Sequence, residues 1–254
     1  MHSLYRITLG IVVALSNLII VDQMPAWAQH HHMDMGTEET PQMHMDMGTR
    51  GTPPGKFHFL SNRERTALQF YNQGLEHLGK QDYKAAVADF SQVLEFNPVY
   101  DMAYFNRGNA YRQLKNYQAA IADYTKALQT NPTFTTIYYN RGELRETLGD
   151  LQGAIEDYTQ AIESYPEEGV GYSKRGFVRY KLGDLQGAME DLETAINVNP
   201  GYPGGYANRA QVYAHLGKRQ AAIADYQKAK DLYREQQLDE YLQVSLALNK
   251  LERE

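Results

Sequence analysis

The side chains best suited to chemistry lie early in the chain, in a segment reading QHHHMDMGTEETPQMHMDMGTRGTPPGKFHF over residues 29–59. It holds five of the eight histidines (His30, His31, His32, His44, His58) and five of the nine methionines (Met33, Met35, Met43, Met45, Met47). The hexapeptide HMDMGT occurs twice, at 32–37 and 44–49. Thioether sulfur suits Cu(I) and imidazole suits either oxidation state, so His30, His31, His32, Met33, Met35, Met43, His44, Met45 and Met47 form a candidate copper-binding set. A chain starting at Gln29 would add a square-planar site for Cu(II) or Ni(II), made of the terminal amine, two amide nitrogens and the His31 imidazole. Cyclisation of Gln29 would block that amine. The same composition fits an inert tether. Residues 29–60 offer little to build a core, so a disordered tail and linker are expected, with Pro53-Pro54-Gly55 as an extended hinge. Copper is therefore one reading of the tail, and nothing in the sequence requires a cofactor.

What precedes the tail decides where it would work. Arg6 leads an apolar run over residues 7–21, and Ala26-Trp27-Ala28 follows. A positive start, a short apolar run and a small-x-small site are the parts of a secretory signal peptide. The run is shorter than the ~20 residues that cross a bilayer comfortably. Residues 1–28 thus read as a cleaved signal, or as a membrane anchor if they are retained. Either way the protein is expected outside the cytoplasm, in a periplasm first and a thylakoid lumen or secreted second.

Bulk composition removes several function classes. The formal charge is −6, and residues 1–28 hold only Arg6 and Asp22, so their removal leaves it unchanged. That mild acidity argues against a nucleic-acid surface, which needs a basic field. With no cysteine, disulfides, thiolate catalysis, thiolate metal sites and lipid attachment at cysteine are excluded. No Gly-rich phosphate loop, HExxH motif or nucleophile with an evident base is present, so no enzyme activity is expected.

From residue 61 onward the chain repeats. Pro98, Pro132, Pro166 and Pro200 are separated by a constant 34 residues, as are Asp89, Asp123, Asp157, Asp191 and Asp225. Gly74, Gly108, Gly142 and Gly176 keep the same step, with Ala210 in the fifth position. Such a step marks units that bury a face only by stacking on copies of themselves. Ser61 with Glu64 is a capping box that opens the first helix. The units run 67–100, 101–134, 135–168, 169–202 and 203–236, each splitting into two helices at a turn such as Leu148-Gly149-Asp150. Asn-Pro pairs at 97–98, 131–132 and 199–200 end the second helices.

These columns resemble the tetratricopeptide repeat. The fourth place is Phe70, Tyr104, Tyr138, Tyr172 or Tyr206, the eighth is Gly or Ala210, and the twentieth is always Ala. The twenty-fourth is Phe90, Tyr124, Tyr158, Leu192 or Tyr226, and the twenty-seventh is Val93 or Ala. The resemblance implies an all-α fold: a right-handed solenoid of five helix pairs over 61–236, closed by a capping helix within 237–254. Leu238, Tyr241, Leu242, Val244, Leu246, Leu248 and Leu251 supply the cap's apolar side. The seventh place departs from the family's usual leucine, being Gln73, Arg107, Arg141, Arg175 and Arg209, with further arginines at Arg145 and Arg179. Pairing of these arginines with the Asp89–Asp225 row is the expected, structural use of both.

In this family the first helix of each pair lines a concave groove. Its sixth place here is Asn72, Asn106, Asn140, Lys174 and Asn208. Asparagine is a poor residue for a helix interior, and its amide carries both donor and acceptor, which matches an extended peptide backbone. Simple inheritance of a consensus residue is the competing account. Beside this row stand Tyr71, Phe105, Tyr139 and Phe177, then Asn109, Arg112, Tyr180 and Lys181. The resemblance therefore implies a non-catalytic scaffold whose partner is a protein or peptide segment of unknown identity. A membrane enters only if residues 1–28 remain attached.

Overall fold

A computed structural model describes residues 61–253. The export segment and the His/Met tail, with every candidate metal ligand on it, lie outside the described residues, as does Glu254.

Five helix pairs follow one another: α1 (Asn62–Gly79) with α2 (Tyr83–Phe96), α3 (Asp101–Gln113) with α4 (Tyr117–Thr130), α5 (Thr135–Thr147) with α6 (Leu151–Ser164), α7 (Val170–Lys181) with α8 (Leu185–Val198), and α9 (Pro203–His215) with α10 (Arg219–Glu235). A last helix, α11 (Tyr241–Arg253), closes the stack, and no strand occurs among the described residues. Each boundary has a local cause. The Ser61 hydroxyl accepts from the Glu64 backbone N–H, and the Glu64 carboxylate accepts from the Ser61 N–H, completing the capping box. Asp82, Asn116, Asp150 and Asp184 cap the second helices by accepting from the backbone three residues on. The turn just before each second helix needs a left-handed residue. Gly149, Gly183 and Gly217 supply it freely, whereas Gln81 and Lys115 hold φ of 61° and 60° with side chains attached. Asn97, Asn131 and Asn199 terminate second helices, as the Asn-Pro pairs require. In the fifth unit Arg234 replaces the proline, and α10 runs on to Glu235.

Within a pair, a ring fills the space opened by a missing side chain. A Cβ built on Gly74 would meet the Phe90 ring at 2.7 Å, and on Gly142 the Tyr158 ring at 2.7 Å. The twentieth-place alanines and the rings of Phe90, Tyr124 and Tyr158 are fully buried, so the core is a continuous strip rather than a single centre. The cap departs from the one-sided reading. Val244 and Leu248 are buried against Tyr226 and Tyr233, but Leu242 and Leu246 are 68% and 70% exposed. At 100° per residue Leu242 and Leu246 turn away from the stripe 241, 244, 248, 251.

Candidate functional site

The charged rows are internal. Arg107 Nε and Nη2 grip both oxygens of Asp123 at 2.8 Å, and its Nη1 donates to Ser91 Oγ of the preceding unit at 2.9 Å. Arg141 repeats this on Asp157 and Thr125, and Arg175 on Asp191 and Thr159. Arg209 holds Asp225. Arg107, Arg141 and Arg175 thus tie their own units to the ones before, and the hydroxyl row Ser91, Thr125, Thr159 is a partner the charge pattern alone does not announce. Arg145 and Arg179 add a second cation to Asp157 and Asp191 at 3.1 and 3.0 Å. In the first unit, where the seventh place is Gln73, His77 takes Asp89 at 2.6 Å. Hydrogen bonding to the aspartates holds the Arg107, Arg175 and Arg209 guanidinium groups above their ordinary pKa. Burial pushes the Asp157 carboxyl up, with its arginines pulling the other way. None of these pairs opens on a cleft.

The asparagine row does more between repeats than its spacing suggests. Asn106 is buried, and its amide donates to the Tyr71 hydroxyl at 2.9 Å. Asn208 donates to Ser173 Oγ at 3.1 Å, and Asn140 donates to Asn109 Oδ1 at 3.4 Å while accepting from Arg112 at 3.5 Å. Lys174, at the same place, donates to Glu143 at 2.7 Å. The sixth place of each later unit therefore reaches back to the fifth or ninth place of its predecessor. These contacts join first helix to first helix, which puts the first helices on the tighter, inner side of the array. An amide offers up to four hydrogen-bonding positions, and the inter-repeat contacts use one or two of them. Asn72, in the first unit, is exposed.

The aromatic set divides in the same way. Tyr71 is only 2% exposed and packs on Phe90 and Tyr100, so it belongs to the floor. Its phenol is pushed far up by burial. Phe105 and Tyr139 are half-buried, against Phe134 and against Glu168, to which the Tyr139 hydroxyl donates at 3.0 Å. Asn109 accepts from Tyr124 at 2.7 Å. Phe177 is half-buried with the Lys181 ammonium 4.6 Å above its ring, and Lys181 donates to Glu146 at 2.6 Å.

The inner face opens into a cleft of about 410 Å³ at the third to fifth units, lined by Glu143, Glu146, Lys174, Phe177, Tyr202 and Tyr233 among others. Lys174, Phe177 and Asn208 of the expected groove meet there, with Lys181 beside them, whereas Asn72, Tyr71, Asn106, Phe105, Asn109 and Arg112 lie in the first two units. Glu143, Glu146, Tyr202 and Tyr233 are additions that the sixth-place pattern did not point to. Burial raises the Tyr202 phenol, and it takes that of Tyr233 to about 12. Among the described residues no cluster of His, Asp and Glu could hold a metal ion, and no helix is long and apolar enough to cross a membrane.

Models of the tetratricopeptide repeat match residues 70–100, 102–134, 135–168 and 203–236, and a TPR repeat model matches 176–217. Among solved structures, a MamA protein is similar with TM-score 0.61 at 24% identity, over 67% of this chain and 93% of that one. MamA from Desulfovibrio magneticus RS-1 is similar at 0.62 and 16% identity, over 69% and 98%. YrrB, described as a TPR protein with an unusual peptide-binding site, is similar at 0.58 and 21% identity, over 72% and 92%. At these identities the likeness speaks for the fold. Compared by sequence with curated proteins, the chain finds no match.

Proposed function

Because the chain belongs to the tetratricopeptide repeat family, we propose that it is a non-catalytic scaffold outside the cytoplasm, holding a segment of a partner protein along its concave face. Arrays of this family serve protein–protein interaction in general. The observation that carries the finer reading is the dressing of the inner face. It combines half-buried rings, amides with unused hydrogen-bonding positions and ion-paired carboxylates around an open cleft. Rings give contact area at low entropy cost, and amides accept a backbone of any sequence. The export reading rests on residues 1–28, and assembly of an envelope or membrane complex is the task that suits an exported array.

A photo-crosslinking residue placed at Asn72 or Lys181 on the inner face, or at Lys126 or Gln160 on exposed second-helix positions, separates the faces. The inner positions are expected to capture a common partner in the source cells, and the outer ones not. Equal capture from both faces, or capture from the outer one alone, would remove the groove reading.

A second reading rests on the duplicated hexapeptide. The tail from His30 to Met47 would bind copper, or nickel at a free Gln29 terminus, with the array docking it to a client. Calorimetry with Cu(II) and Cu(I) on exported protein, against a form lacking residues 29–55, tests this. Micromolar binding that disappears with the tail supports it, and equal heats from both forms oppose it.

A further inference from the structure

The cleft lies where the units depart from one another. The fifth place of one unit meets the thirty-fourth place, where the next unit begins. In the first two units both are rings, with Tyr71 on Tyr100 at 5.1 Å and Phe105 on Phe134 at 5.0 Å. In the third, Tyr139 reaches Glu168. In the fourth, the fifth place has shrunk to Ser173, fully buried beneath Asn208, and Tyr202 has no ring partner among the described residues. The next unit's second place has shrunk as well. It is Gly204, where the other units carry Leu68, Met102, Thr136 and Val170. A Cβ on Gly204 would meet the Tyr202 ring at 2.6 Å, so that ring lies directly on the glycine backbone. Tyr202 thus fills the room left by the missing Gly204 side chain and, with Phe177 and Tyr233, forms the ring walls of the cleft of about 410 Å³.

We propose that this cleft receives an aromatic side chain bearing a hydrogen-bond donor, Tyr or Trp, from the partner segment. The proposal rests on the groove reading above and names its anchor. A guest ring restores the ring-on-ring contact that the chain makes for itself in its first two units, now against Tyr202. The mouth selects the guest's polar end. Glu143 accepts from Lys174 at 2.7 Å, and Glu146 accepts from Lys181 at 2.6 Å and from Tyr158 at 3.3 Å. A carboxylate can accept about four hydrogen bonds, so both can take one more from a phenol or an indole N–H. Each carboxylate already has its ammonium, so a charged guest would lose its hydration without an unpaired counter-charge. The Phe177 face that a cation would seek already carries the Lys181 ammonium at 4.6 Å.

The test uses the full chain, isotopically labelled, titrated with the N-acetyl amides of Trp, Tyr, Leu, Arg and Glu. Amide resonances of Phe177, Gly204 and Asn208 are the readout. The Trp and Tyr amides are expected to shift these three and to bind about fivefold more tightly than the Leu amide, the increment of one aromatic pair. Ser173→Phe, which restores the ring found in the first two units, should abolish the shifts. Phe177→Ala should weaken them and keeps the test open should the buried Ser173 site refuse a ring. Leu binding as tightly as Trp, Arg or Glu binding more tightly, or no shift at the three residues would each overturn the proposal. Its failure leaves the groove reading standing if Asn72 still crosslinks a partner. Binding of aromatic amides without any inner-face crosslink would instead sink the groove reading.

Discussion

Arg107→Ala should cost the array more than Arg141→Ala, although Asp157, the partner of Arg141, is the more deeply buried carboxylate at 1% exposure against 5% for Asp123. The two arginines make matching contacts: a two-point grip on aspartate, a hydroxyl of the preceding unit at 2.9 Å, and a tyrosine ring beneath the guanidinium. What differs is the remainder after truncation. Asp157 keeps Arg145 at 3.1 Å, so its charge stays paired. Among the described residues Asp123 has no second cation, the eleventh place of its unit being Tyr111. Stranding a buried carboxylate costs about 3–5 kcal/mol, whereas losing charge-assisted hydrogen bonds with the charge still paired costs about 2. For a folded unit of this size that corresponds to a fall in Tm of about 6–20 °C for Arg107→Ala and 4–8 °C for Arg141→Ala. Thermal and urea unfolding followed by circular dichroism measure both, and hydrogen exchange assigns the loss to the junction of the first two units. Adding Asp123→Asn to Arg107→Ala should recover part of the loss, since the stranded charge is then gone. Equal losses, the reverse order, or no recovery in the double variant would refute the reasoning.

Three further outcomes follow from the same geometry. Lys115→Gly relieves a left-handed side-chain residue and should stabilise by about 0.5–1 kcal/mol net of the glycine's extra unfolded freedom, raising Tm by about 1–4 °C; a fall would show the turn tolerates lysine without strain. Burial raises the phenols of Tyr100 and Tyr124 to about 12, so the folded state holds protons that the unfolded chain releases near pH 10. That stability is intact below pH 10 and drains away between about 10 and 12, approaching ~2.7 kcal/mol per buried tyrosine. Tyrosinate absorbance and helix signal recorded together should show a fraction of the 20 tyrosines ionising only as the helices melt, and smooth ionisation with helices intact would contradict it. Leu248→Ala should destabilise by about 2–5 kcal/mol and Leu246→Ser by no more than ~0.5, measured by urea unfolding, because only the first is buried against the last repeat; similar losses would mean α11 packs through its other face.

The fold was legible because each unit states its own boundaries. Asp or Asn before the second helix, Asn-Pro after it and a glycine facing a ring are local signals, repeated until chance is excluded. The Arg–Asp rows were legible for a related reason. The offset from Arg107 to Asp123 recurs from Arg141 to Asp157, so a pairing within one unit holds in every unit that carries both residues. Contacts between units were harder to read. Asn106 reaches the fifth place of the preceding unit and Asn140 the ninth, and the choice depends on how far each helix pair is rotated on the last, which no single column records. An amide facing a neighbouring helix and an amide facing a peptide also look alike in sequence. The Leu242 and Leu246 row was counted with the cap's buried side because a run of leucines masks the angle between two stripes.

In a repeat array, function is more visible at the departures from the grid than on it. Four copies of an Arg–Asp pair, each holding a buried carboxylate by a two-point grip and none opening on a cleft, have the makings of structure. The grid breaks where the fourth unit meets the fifth. There a floor ring becomes Ser173, a groove side chain becomes Gly204, and the sixth-place amide becomes Lys174. The first two changes are losses of packing or of helix propensity, whereas Lys174 gains an ion pair with Glu143. Gly204 and Lys174 line one cleft together with Tyr202, and Ser173 lies buried beneath Asn208 at its edge. Gly204 and Lys174 border the same 410 Å³, with Ser173 just behind Asn208, and a ring supplied by a partner is the guest that would use the room they leave.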